Sequence, residues 1–212
     1  MSKQSTQTLE PDTKIDQFAV QTEQNTKSST QEQELNSAKI TEAETMATDA
    51  MILSSSKFLA EAIVNSLREL TQDGFEDQEL TYQQKIQGFL VFTRSYTMFT
   101  GTELVYCVWL VLRLTHADRK RIQMGHKQQI TEENIGTILV CAVELALKML
   151  RDRVCRNSWW SNAFGMDMKT LNASEIVFLK RLDFSLNIDE VSFWTIYDLL
   201  FSFPLPAQSK SL

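Results

Sequence analysis

Residues 171–186 read Leu-Asn-Ala-Ser-Glu-Ile-Val-Phe-Leu-Lys-Arg-Leu-Asp-Phe-Ser-Leu. Leu171, Ser174, Glu175, Phe178, Leu179 and Leu182 recur every three or four positions, the spacing that lines one face of an α-helix, with Thr170 as its start. The pattern runs out through Asp183-Phe-Ser-Leu186. Upstream, Ile135, Ile138, Leu139, Ala142, Val143, Ala146 and Met149 form a longer stripe. Thr131, Glu132 and Glu133 open it at the positive end of the helix dipole, and Lys148, Arg151 and Arg153 gather at its close. Small side chains at Ala142 and Ala146 allow a neighbouring helix to come near.

Farther out, Glu103 to about Thr115 is apolar nearly all round, at Leu104, Val105, Val108, Trp109, Val111 and Leu112. Such a helix belongs at the centre of its bundle. Thr81-Tyr-Gln-Gln84 has the form of a capping box and predicts a helix that buries Ile86, Phe89, Leu90, Phe92 and Tyr96. A leading helix over 52–72 carries Leu59, Ile63, Leu67 and Leu70, and Asp73-Gly74 breaks it. Asn157-Ser158 caps a short segment over 159–164, with Gly165 as its stop and Trp159 and Trp160 expected mainly in the core. Asp189 caps a last amphipathic segment that runs to Phe203 and ends at Pro204 and Pro206. Strand-type alternation of useful length is absent, so the expected fold class is all-α, helix packed on helix around one core.

Composition agrees with that class. Six glycines and three prolines in 212 residues favour helices over a turn-rich architecture, and hydrophobic and charged fractions of 43% and 23% are those of an ordinary globular domain. A net charge of −6 gives no general basic footprint, so nucleic acid is not an expected partner. Arg119-Lys120-Arg121 lies in a polar stretch, 117–129, that reads as a solvated connection; no aromatics for base stacking accompany it. Cys107, Cys141 and Cys155 are widely spaced and His116 and His126 are the only histidines, which predicts buried thiols, no zinc and no cofactor. The longest apolar run, Leu104 to Leu112, falls well short of the roughly 20 residues that cross a bilayer.

Residues 1–50 are rich in Gln, Ser, Thr and Glu and carry most of the net negative charge, so they read as a disordered acidic tail. The start lacks the apolar core of a signal peptide, Ser2 excludes N-myristoylation, and an intracellular setting, cytoplasmic or nuclear, is expected.

Ala146-Leu-Lys-Met149 and the 171–186 stretch resemble the second half of a cyclin box. The resemblance extends over about 80–190, and the Trp-rich linker with Leu171-Asn172 is most similar to the single-box cyclins: the fungal phosphate-regulation, plant P/U and Y types. It implies a cyclin box over 80–187, and with the spacing above the expected layout adds a leading helix (52–72), a C-terminal amphipathic helix (188–203) and a terminal tail (204–212). The family pattern has a Lys near the end of its third box helix, where Lys148 falls, and a Glu in its fifth, where Glu175 falls. Leu182, Phe184 and Leu186 match its Leu-x-Phe-x-Leu exit. The resemblance implies a non-catalytic subunit that binds and activates a cyclin-dependent kinase, through Leu145, Lys148, Met149, Glu175, Leu179, Phe184 and Leu186. Two departures stand beside it. Leu110-Val-Leu-Arg-Leu114 lacks the acidic residue that many cyclins pair with an Arg of the first box helix, leaving Arg94 and Arg113 without an evident partner; the connection before Thr131 also looks long. A cyclin-like scaffold for a non-kinase partner is the alternative these departures keep open.

Overall fold

The computed structural model describes residues 37–67 and 76–201. Among them run eight helices: α1 (residues 37–44), α2 (Asp49–Leu67), α3 (Glu76–Thr97), α4 (Gly101–Gln123), α5 (Ile135–Leu150), α6 (Asn157–Ala163), α7 (Met168–Arg181) and α8 (Glu190–Phe201). Extended pairing among the described residues is confined to one isolated bridge, Met46 with Thr100. Leu70, Asp73-Gly74, Pro204 and Pro206 lie outside the described residues.

The apolar character of α4 puts it at the centre. Leu104, Val105, Val108, Trp109 and Val111 are all buried, and the helix packs against α2, α5, α7 and α8. A capping box starts it: Glu103 N–H donates to the Thr100 hydroxyl at 3.3 Å while Thr100 N–H donates to Glu103 Oε2 at 2.7 Å. The box expected at Thr81 is instead interior to α3, which begins at Glu76. A Thr-x-x-Gln spacing marks a start only where the residues before it leave the helix, and here they do not.

The polar stretch 117–129 was expected to be a connection, yet α4 continues to Gln123. Ala, Arg, Lys and Gln are good helix formers, so two more turns extend, with Lys120 exposed and Asp118 buried. Gly125, at φ +82°, takes the left-handed conformation that ends a helix, and Gly125 and His126 N–H donate back to Ile122 and Arg121 carbonyls at 2.8 and 3.0 Å. The connection is thereby shortened to 124–134. Buried Asp118 pins it by accepting from Gln129 and Ile130 N–H, both at 3.1 Å. Thr131 opens a turn rather than the helix, since Asn134 bridges it from Thr131 N–H to the Gln129 carbonyl, and α5 begins one residue later. Asp167, not Thr170, caps α7, accepting from Thr170 N–H at 2.8 Å.

The larger correction concerns residues 37–50, placed by composition inside a structureless tail. From Ala43 onward the chain belongs to the folded body: Ala43 and Ala47 are buried, Ala47 N–H donates to Phe99 O at 2.9 Å and Gly101 N–H to Thr45 O at 3.0 Å. Arg94 donates to the Ala47 carbonyl at 2.9 Å and pairs with Asp49 at 2.5 Å, so it finds a partner after all. Gly101 permits the approach, because a Cβ there would lie 3.1 Å from the Ala43 carbonyl oxygen. Short alanine side chains let a polar-looking segment lie flat on a core, a fit that composition does not register.

Phe92 and Tyr96, expected in the core, are exposed on α3, and their rings run in a ladder toward α6. Phe92 contacts Phe164 and Tyr96 contacts Trp159, at centroid distances of 5.4 and 6.2 Å. The Trp pair divides, with Trp160 buried and Trp159 half-buried.

Deletion of residues 1–48 removes Ala43, Ala47 and their backbone pairing and is expected to lower Tm by at least about 5 °C, the scale of a loss of order 1 kcal/mol in a small domain; an unchanged melting curve would contradict the packing. Burial pushes the Cys107 and Cys141 thiols up to about 12, whereas Cys155 is only half-buried. Native protein is therefore expected to take up one maleimide per chain by mass spectrometry, at Cys155, and all three only after unfolding.

Candidate functional site

The residues singled out at 145–149 and 175–186 meet where the end of α5 faces α7. Lys148 Nζ donates to Glu175 Oε1 at 2.6 Å, a pair formed across two helices and 27 positions of sequence. The other Glu175 oxygen, Oε2, accepts from Asn157 Nδ2 at 2.9 Å, and the same amide donates to Asn172 Oδ1 at 2.8 Å. Asn157 stands at the start of α6, so three helices fix the orientation of one carboxylate.

Beneath the pair lies Glu144, whose side chain is 0% exposed and whose Oε1 stands 2.9 Å from Lys148 Nζ. The contact is between charges alone; neither Glu144 oxygen receives a well-directed hydrogen bond. Burial pushes the Glu144 pKa up, and the nearby Glu175 charge adds to the rise, against the opposing pull of Lys148. For Lys148, burial acts downward, but its hydrogen bond to Glu175 and the close Glu144 carboxylate prevail and the ammonium is held above its ordinary range. Lys148 is thus a cation clamped between two carboxylates. Sequence reading passed over Glu144, Asn157 and Asn172. The signal for Glu144 was present: it is the one carboxylate inside the apolar Ile135–Leu150 helix, four residues before Lys148 and so on its face.

Arg151 anchors this end of α5. Its guanidinium donates to both Glu103 oxygens, to the Thr97 carbonyl at 2.8 Å and to the Met98 carbonyl at 3.3 Å, joining the end of α3, the start of α4 and the end of α5. Those hydrogen bonds to Glu103 raise the Arg151 pKa further.

The remaining predicted residues divide by exposure. Leu145 is 4% exposed and forms the floor, so it offers no open surface. Leu179 and Leu186 are half-buried, Met149 is exposed and Phe184 is 63% exposed. Asp183 and Phe184 both adopt positive φ, at +51° and +55°, which costs on the order of 1 kcal/mol each for residues with a Cβ. Phe184 N–H donates to the Leu179 carbonyl at 2.9 Å, closing the end of α7. The Tyr106 hydroxyl donates to the Leu186 carbonyl and Arg113 to that of Ser185, with the Arg113 guanidinium 4.9 Å above the Trp109 ring. Arg113, expected to lack a partner, therefore holds the exit segment in a turn that projects Phe184 outward.

Among the described residues no cluster of three His, Cys, Asp or Glu side chains is placed to hold a metal ion, and no helix is long and apolar enough to cross a membrane. The site is a fixed charge triad with apolar side chains around it.

Because the folded-state pKa of Glu144 is raised, the native state binds this proton more tightly than the unfolded chain does. Its contribution to stability therefore falls as pH rises from the ordinary value of 4.5 through the raised one. Glu144→Gln abolishes that titration. The variant's Tm relative to wild type is expected to be more favourable at pH 7 than at pH 4; a difference that stays constant across this range would contradict the buried charge.

No curated protein and no solved structure matches the chain. The sequence model of the family described as Cyclin does match, over residues 12–186. That span takes in α5, α6 and α7, where Lys148 and Glu175 meet. With an all-α fold of the cyclin-box type and a family match over most of its length, the chain belongs to the cyclin family, whose members are regulatory proteins rather than enzymes.

Proposed function

We propose that the chain binds and activates a cyclin-dependent protein kinase by receiving the kinase's regulatory C helix against α5 and α7. The observation that carries this reading is the 2.6 Å Lys148–Glu175 pair, oriented by Asn157 and backed by buried Glu144. Both partners remain partly exposed, so polar groups at the start of an incoming helix can reach them. Met149, Leu179, Phe184 and Leu186 border the pair and supply apolar contact for a helix laid in a groove. Leu145 supports them from below.

An inactive kinase holds its C helix away from the catalytic cleft, and the Glu that must pair with the ATP-binding Lys is displaced. A partner activates such a kinase by binding the inward conformation more tightly than the outward one. A preorganised triad serves that purpose, because its charges are already fixed and a charge-assisted bond tolerates little misalignment. The strained turn at Asp183-Phe184 acts similarly by presenting an aromatic side chain at a set position.

Glu175→Lys sets a second ammonium beside Lys148 while Glu144 still compensates the first. The variant is expected to keep its helical circular dichroism spectrum yet lose kinase co-precipitation, with affinity down at least tenfold, since disrupting a buried interfacial charge pair costs about 2 to 5 kcal/mol. A folded Glu175→Lys protein that captures and activates its kinase at wild-type level would overturn the groove assignment and favour a scaffold for a non-kinase partner.

A further inference from the structure

On the opposite side of α7, the ends of two helices bring together basic residues that lie some sixty positions apart. Lys120 and Arg121 come from the last turn of α4, and Lys180 and Arg181 from the last turn of α7. These four line a cavity of about 500 Å³ in which Asp183 is the one carboxylate. Cations at helix C-termini are ordinary, because each end carries about half a negative charge. Four exceed that need. The nearby Asp118 is engaged by the N–H groups of Gln129 and Ile130. Even after Asp118, Asp183 and both helix ends are counted, positive charge is left over.

Two observations show that the surplus is unmet inside the fold. Arg121 Nε is buried with no hydrogen-bond acceptor, and an unsatisfied buried donor of a charged group is costly. The Arg181 guanidinium has its pKa lowered by burial and then by the like charge of Arg121, with Asp118 only partly opposing. Among the described residues neither Lys120, Lys180 nor Arg181 is held by a side-chain hydrogen bond or ion pair.

An apolar cavity of about 350 Å³ adjoins the basic one, and Val177 and Arg181 line both. Ile130, Ile138, Cys141 and Phe178 form much of its wall. The combined surface is a concave apolar groove that ends in clustered guanidinium and ammonium groups. We propose that this surface binds a peptide segment in which a phosphorylated Ser or Thr sits beside an apolar residue: the phosphoryl group enters the pocket of Lys120, Arg121, Lys180 and Arg181, and the apolar side chain enters the groove across Val177.

The shape decides among anionic partners. A bilayer presents a plane, and the half-buried guanidiniums of Arg121 and Arg181 in a concavity meet it poorly. Single-stranded nucleic acid calls for aromatic platforms, and no aromatic side chain lines the basic cavity. A phosphoryl group offers several acceptor oxygens to forked arginine donors. The inference is independent of kinase binding, which uses the Glu175 side of α7.

The test is fluorescence anisotropy of the full chain with a labelled heptapeptide carrying a central phosphoserine flanked by leucines. The phosphorylated peptide is expected to bind at least about tenfold more tightly than its unphosphorylated twin. Inorganic phosphate should displace it, and Arg121→Gln with Arg181→Gln should weaken it at least tenfold. Should that double variant lose its helical spectrum, Lys120→Gln with Lys180→Gln, at exposed positions, is expected to weaken binding in the same direction. Glu175→Lys should bind the peptide as wild type does. Equal affinity for both peptides, indifference of a folded basic-pocket variant, or capture of phosphatidylserine vesicles without capture of the phosphopeptide would each overturn the proposal.

Discussion

A fully buried carboxylate has few options, and Glu144 meets them with a cation one turn away. Several kcal/mol of desolvation cost attend an ionised group in a protein interior unless an opposite charge stands close. Lys148, one turn on, is the cation within reach, so its rotamer is dictated from below. Lys148 in turn draws Glu175 from α7, and Glu175 draws Asn157 from α6. The register between α5, α6 and α7 thus follows from one charge. Arg151 repeats the logic at the end of α5, where Glu103 must serve both as the cap of α4 and as a salt-bridge partner.

A buried charge pair adds little net stability in general, and in some proteins such groups confer specificity. The upper surface of the triad is partly open and has apolar side chains beside it. The turn at Asp183-Phe184 is equally fixed, since two consecutive left-handed residues with side chains are tolerated only where the surroundings hold them. Tyr106 and Arg113, both from central α4, hold that turn through the carbonyls of Leu186 and Ser185. The core helix therefore supports the site directly. Helix α7 has two distinct sides: Glu175 and Leu179 lie on the triad side, and Val177 and Arg181 line the basic cavity.

Much of this was legible in the sequence because helices announce themselves by period. The stripes of α4, α5 and α7 and the Lys148–Glu175 pairing could be read from spacing and family pattern. What escaped detection depended on three-dimensional context. Glu144 was hidden among apolar neighbours, since a stripe reading counts hydrophobes and passes over the lone acid. The last two turns of α4 were taken for loop because their charge was read as irregularity, although Arg and Lys favour helix and only Gly125 ends it. Ala43 and Ala47 were assigned to a tail because small side chains contribute little to any hydrophobic count, yet their smallness is what lets the chain lie against Gly101. Phe92 and Tyr96 erred the other way: aromatic character suggested core, whereas α3 turns them outward toward α6.

The central claim is that the α5–α7 surface around the triad is where a kinase docks. Hydrogen–deuterium exchange of the chain, alone and with the kinase that co-purifies with it, tests this most directly. The account predicts slowed exchange at the backbone amides of 183–188 and 151–153, the irregular segments that border the Lys148–Glu175 pair. Protection confined to other surfaces, or failure of any kinase to co-purify, would contradict it.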